Sequence, residues 1–79
     1  MYAEFFGKKL AQARKDAGYT QVTAAKELNI PAGTLANWEI GRTQPDLESI
    51  GVIADFYAVS VDWLLGTKGN NKLRNEYGA

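Results

Sequence analysis

Tyr19 to Gly41 reads YTQVTAAKELNIPAGTLANWEIG, and the reading of this stretch decides the fold. Thr20 suits a helix N-cap, where its side-chain oxygen takes an amide that has no partner within the helix. From Gln21 to Leu28 the pattern is that of a short amphipathic helix with Ala24, Ala25 and Leu28 inward. Asn29 falls at the bend, and Asn is the non-glycine residue that best tolerates a left-handed backbone. Pro31 suits the first turn of a second helix, since the amide it lacks has no partner there. That helix runs to about Ile40 with Leu35 and Trp38 inward, and Gly41 ends it. Two short helices around a tight bend make a helix-turn-helix, a unit whose second helix can lie in the major groove of DNA.

Working outward, Phe6, Leu10, Ala13 and Ala17 recur at spacings of four, three and four, one face of a helix over 3–17. Gly18 stops it as a left-handed cap. Past the loop Arg42-Thr43-Gln44-Pro45, Asp46 is an N-cap with Glu48 in the first turn, where the helix dipole favours negative charge. Leu47, Ile50, Ile53, Ala54 and Tyr57 form the inward face of a helix over 47–57. Val59-Ser60 opens a last short helix, 61–65, closed by Gly66. Five helices and no strand give an all-α fold, with a domain over residues 1–66 and a Gly- and Asn-rich polar tail or linker over 67–79.

Seventy-nine residues make one domain, close to the smallest size that folds without a staple. The chain has no Cys and no His, which excludes disulfides, thiol catalysis, His base chemistry and Cys/His zinc sites. No nucleophile–base pair, metal-ligand set or phosphate loop is seen, so the expectation is a non-enzyme without cofactor or metal. The apolar runs are far shorter than the ~20 residues needed to span a bilayer. With no leader-like segment before the first helix, the expected location is cytoplasmic and away from membranes.

The net charge is zero but segregated. Residues 1–44 carry six basic groups and four acidic ones, residues 45–67 carry four acids and no base, and the tail is again basic. The helix-turn-helix therefore lies in a positive segment, and a phosphate footprint needs only a local patch.

These residues, in this order, resemble the lambda-repressor-like family, also called the Cro/C1 or XRE type, over residues 5–66. The match is carried by Gly7, Leu10, Arg14 and Gly18, then Thr20-Gln21, Ala25 and Leu28, then Leu35, Trp38-Glu39, Gly41, Pro45, Leu47 and Ala54. It closes on Val59-Ser60-Val61-Asp62-Trp63-Leu64-Leu65-Gly66. The resemblance implies a bacterial or phage transcriptional regulator, a repressor by expectation. It would act as a dimer, at least on DNA, on a partly palindromic double-stranded operator.

Residue by residue, the resemblance places Gln21 on a backbone phosphate, a positioning contact rather than a base reader. It places Ala32, Gly33, Thr34 and Asn37 against base edges. Asn37 can bond bidentately to adenine, and Thr34 can offer its methyl to thymine or its hydroxyl to a base edge. Ala32 and Gly33 depart from relatives that carry Gln, Arg or Ser there. Either small residues let the helix amides approach phosphate, or direct readout is thin and DNA shape supplies the rest. Arg42, Thr43 and Gln44 fall where the family contacts phosphates; Lys8 and Lys26 are flanking candidates.

Arg14 and Glu39 match a pair that the family joins by a structural salt bridge. Trp38 is read as core, its indole filling the volume left by the small Ala24. Trp63 and Leu64 are candidates for the dimer interface, with Trp63 divided between core and interface. Tyr2 and Phe5 are expected to cover the last helix or a partner. No small-molecule ligand domain is expected in these 79 residues. The alternative is a protein-interaction module, such as an antitoxin or an adaptor with a degenerate helix-turn-helix, kept open by the bland Ala32-Gly33 pair.

Overall fold

The computed structural model describes residues 2–66. Five helices follow one another: α1 (Tyr2–Asp16), α2 (Gln21–Leu28), α3 (Ala32–Glu39), α4 (Leu47–Tyr57) and α5 (Val61–Leu65). There is no strand among the described residues, and the all-α architecture is the one anticipated. The proposed tail over 67–79 and the side chain of Tyr2 lie outside the described residues.

Local chemistry sets the element ends. Thr20 accepts from the Thr23 amide at 3.1 Å while the Thr20 amide donates to Thr23 Oγ1 at 3.0 Å. This reciprocal capping box satisfies two amides at once. Asp46 caps α4 through the Ser49 amide at 2.8 Å; hydrogen bonding from the Ser49 side chain, and then from this amide, lowers the carboxyl pKa. Ser60 caps α5 through the Trp63 amide. Pro31 stands as the N-cap of α3, extended at φ −63°, ψ 144°, and supplies no side-chain cap. At the far end of α2, Asn29 takes the left-handed conformation (φ 61°, ψ 44°), and Ile30 N donates back to Ala25 O.

Ala58 carries no sequence signal of a helix stop. It ends α4 in the same left-handed region, φ 58°, where an alanine Cβ crowds the following carbonyl at a cost of about 1–2 kcal/mol. Val59 N bonds Ala54 O at 3.0 Å, and Ile53, Ala54 and Leu64 are buried on either side. Packing of α4 and α5 holds the reversal.

The core is one cluster drawn from every helix: Phe6, Leu10 and Ala13; Ala24 and Ala25; Leu35 and Trp38; Ile53, Ala54 and Tyr57; Leu64. Helix α1 packs on α3 and α5, α2 on α3, and α4 on α5. The α1–α3 crossing is close at Gly7, where a Cβ would lie 2.8 Å from Trp38 O and nearer still to Glu39 O. Only a residue without a side chain fits.

Three inward assignments need correction. Leu47 is 88% exposed, because it occupies the first turn of α4, which overhangs the core that Ile53, Ala54 and Tyr57 face. Ala17 is exposed beyond the end of α1, and Leu28 is only half-buried. Trp38 shares the buried cluster with Ala24 and Ala25. It also lines a shallow groove with Leu28, Ile30, Glu48, Val52 and Ile53, so it joins the helix-turn-helix to α4.

Candidate nucleic-acid interface

Helix α3 carries two kinds of residue on two sides. Leu35, Trp38 and Glu39 are buried, whereas Ala32 and Gly33 are exposed and Thr34 and Asn37 half-buried. A Cβ added at Gly33 would meet nothing within 4 Å. The turn after α3 is tied to it: Arg42 N donates to Asn37 O at 2.9 Å and Thr43 N to the same oxygen at 3.4 Å. This places Arg42, Thr43 and Gln44, all exposed, just beyond the C-terminal end of α3. Pro45 is buried and anchors the loop.

Gln21, the first residue of α2, is half-buried. Its Nε2 donates to Glu39 Oε1 at 2.9 Å, a bond joining the start of α2 to the end of α3. The sequence carries no local signal of this contact, since the partners are 18 residues apart. Arg14 closes the group from α1. Its Nε donates to Glu39 Oε2 at 2.8 Å, its Nη2 to Oε1 at 3.1 Å and its Nη1 to the Tyr19 carbonyl at 2.9 Å. The two side chains are 10% and 4% exposed, so this is a buried, bidentate pair with a third guanidinium N–H spent on the Tyr19 carbonyl. The hydrogen bond to Glu39 raises the Arg14 pKa further.

Tyr57 borders the same group. Its hydroxyl is buried without a hydrogen-bond partner, and burial, reinforced by the charge of Glu39, pushes its pKa up to about 12. Its ring is held edge-on against Phe56, centroids 4.9 Å apart, and Tyr19, 6.4 Å.

At the other end of the molecule, Leu64 has no surface to offer a second subunit. It is fully buried in the chain's own core, because α5 turns it against α1 and α4. Of the two residues assigned to an interface, only Trp63 keeps exposed area. The Lys9 ammonium lies 4.4 Å from the Trp63 ring centroid and 5.6 Å from that of Phe5. Phe5, 42% exposed, lies against Gly66 and so covers the end of α5. Among the described residues there is no cluster of three potential metal ligands, and no helix is long and apolar enough to cross a membrane.

Comparison with known proteins agrees with this architecture. A helix-turn-helix family model matches residues 10–64. The transcriptional regulator ImmR of Bacillus subtilis is 45% identical over 60 residues, covering 76% of this chain and 47% of that protein. The transcriptional activator BcrR of Enterococcus faecalis is 35% identical over 60 residues, covering 76% of this chain and 29% of that protein. YonR, a prophage-derived regulator of B. subtilis, is also 35% identical over 60 residues, covering 76% of this chain and 56% of that protein. The chain thus matches only 29–56% of the length of these relatives. Among solved structures, the DNA-binding domain of BldD superposes with a TM-score of 0.73 at 27% identity, covering 81% of this chain and 93% of that one. From the paired short helices, the capped turn and these matches, the chain belongs to the helix-turn-helix family of the XRE, lambda-repressor-like type.

Proposed function

We propose that this chain binds double-stranded DNA sequence-specifically as a bacterial or phage transcriptional regulator, with α3 in the major groove. The observation that carries the reading is the exposed side of α3. Ala32, Gly33, Thr34 and Asn37 share α3 with its attachments to two elements proposed to contact the DNA backbone. These are the start of α2, where Gln21 bonds Glu39, and the loop Arg42-Thr43-Gln44, tied to the Asn37 carbonyl. In this reading Gln21, Arg42, Thr43 and Gln44 hold phosphates and set the register, while Asn37 and Thr34 meet base edges. With two small residues at the tip of α3, direct readout is short and DNA deformability contributes the remainder. The relatives' names support regulation of transcription in general; repression by occupying an operator is the mode proposed here. On a partly palindromic operator two copies would place their recognition helices ~34 Å apart, ~10 base pairs centre to centre. The exposed part of Trp63 would lie at the contact between them.

The test is fluorescence anisotropy of the chain on the region upstream of its own gene, titrated with salt and followed by footprinting. Binding that weakens linearly in log salt, with protection of two half-sites, is the expected result. Protection of a single isolated half-site overturns the dimer arrangement. No binding to any duplex at low salt overturns the DNA reading and favours an interaction module, the alternative that the Ala32-Gly33 surface supports.

A further inference from the structure

We infer that Glu39, neutralised by Arg14, is a positioning residue that fixes the carboxamide of Gln21 in the orientation needed to meet a DNA phosphate. This inference rests on the DNA-binding reading above and assigns the buried ion pair a task beyond holding α1 to α3.

The contact geometry carries it. A carboxylate can only accept, so the 2.9 Å contact to Glu39 Oε1 must come from the amide nitrogen of Gln21, which settles which way the carboxamide faces. A primary amide has two protons. One is engaged on Glu39, and the other, held in the same plane, remains for an outside acceptor. A free glutamine would have to lose its side-chain rotations on binding; here they are already restricted by a partner that is itself immobile. Glu39 is 8% exposed, and Arg14 grips both of its oxygens.

Charge explains why the arrangement needs all three residues. A carboxylate next to a phosphate site repels the ligand. The Arg14 guanidinium, bonded to both Glu39 oxygens, cancels that repulsion and leaves the hydrogen-bond geometry intact. Glutamine at this point, rather than lysine, also follows: a cation at residue 21 would compete with Arg14 for the carboxylate.

The experiment uses the full 79-residue chain on a random-sequence duplex, since a phosphate contact is independent of sequence. Thermal melts check that each variant folds. Gln21→Ala is expected to weaken binding about threefold to tenfold. Arg14→Met with Glu39→Met removes the acceptor without stranding a charge, and should weaken binding by a similar factor. Adding Gln21→Ala to that double variant should then change little. Arg14→Gln with Glu39→Gln keeps an acceptor and neutrality, and should stay within about twofold of the parent. A double methionine variant that binds like the parent, or losses that multiply in the triple variant, overturns the inference while leaving DNA binding intact. A parent chain that binds no duplex overturns both.

A second measurement needs no substitution at the pair. In the parent chain free of DNA, the two side-chain amide protons of Gln21 should exchange with water at clearly different rates, the one bonded to Glu39 more slowly. Equal, fast exchange of both protons overturns the positioning role whatever the variants do.

Discussion

Toward the C-terminal end of α3, Trp38 and Glu39 are buried, with Glu39 bonded to two other helices. Less than two turns earlier, Ala32 and Gly33 are exposed, with open space around Gly33. One helix of eight residues therefore divides into an end that the fold depends on and an end that it does not. The division teaches how so small a domain can change what it reads without unfolding. Residues that hold the structure and residues proposed to meet DNA share a helix but not an energetic role.

The sharpest way to break this comparison is at Trp38. Trp38→Ala should cost about 3–5 kcal/mol, the transfer free energy plus the cavity, which is most of the stability of a domain this size. A denaturant melt that retains a normal transition midpoint would mean that the indole is not a keystone.

Gly7 tests the same end from the opposing helix. Gly7→Ala drives a Cβ into the carbonyls of Trp38 and Glu39, and overpacking against backbone should cost about 1–3 kcal/mol. Unchanged stability would show that the α1–α3 crossing is looser than described.

Asn37 belongs to the other class. Asn37→Ala should leave the melt almost unchanged, cost about 1–3 kcal/mol on the operator and next to nothing on random DNA. Equal losses on both sequences would remove Asn37 as a base reader. Arg42→Ala, by contrast, should weaken all sequences alike and flatten the salt slope by about one unit.

Tyr57 sharpens the buried end through pH. Its folded pKa, about 12, lies above the unfolded value near 10, so the neutral phenol is the form the fold favours. That contribution is complete below pH ~10 and is lost as pH rises toward 12, where the unfolded chain ionises first. Tyr57→Phe should flatten the loss between pH ~10 and 12. At neutral pH it should be neutral or stabilising by about 1 kcal/mol, since a hydroxyl without a partner is removed. Chemical melts across that range check both; parallel pH profiles for parent and variant would exclude Tyr57 as the source.

The smallest expected effect is also the cleanest contrast. Gly33→Ala is the same substitution as Gly7→Ala with the opposite sign. Nothing surrounds a Cβ at Gly33, and alanine is the better helix former, so stability should rise by about 0.5–1 kcal/mol. A loss of stability would mean that the N-terminal end of α3 is not free of packing constraints.

How much of this was legible in the residues depends on range. The ends set by Thr20, Asn29, Asp46, Ser60 and Gly66 could be read because each acts on amides or carbonyls a few residues away. The inward faces of α1, Ala17 apart, and of α3 follow from helical spacing, and so does the exposure of Gly33 on the side opposite Leu35 and Trp38. Ala58 was not legible as a stop, because alanine has no preference for the left-handed region and only the packing of two helices holds it there. Periodicity placed Leu47 inward but carries no information on where a helix outruns its core. Leu64, an interface candidate by sequence, is core for the same reason: its exposure is decided by neighbours distant in sequence.

By itself, then, the sequence determined the five helices, their caps other than Ala58 and the helix-turn-helix at their centre, because these are local hydrogen-bond and spacing problems solved within a few residues. Tertiary structure alone decided that α1 crosses α3 so closely at Gly7 and that Tyr57 buries a bare hydroxyl beside Glu39. It also decided that Gln21 joins the Arg14–Glu39 pair, so that residues of three helices meet around one carboxylate. The physical reason is the same in each case. A charge or a Cβ is stabilised or excluded by whatever surrounds it in space, and that surrounding exists only once the helices have packed.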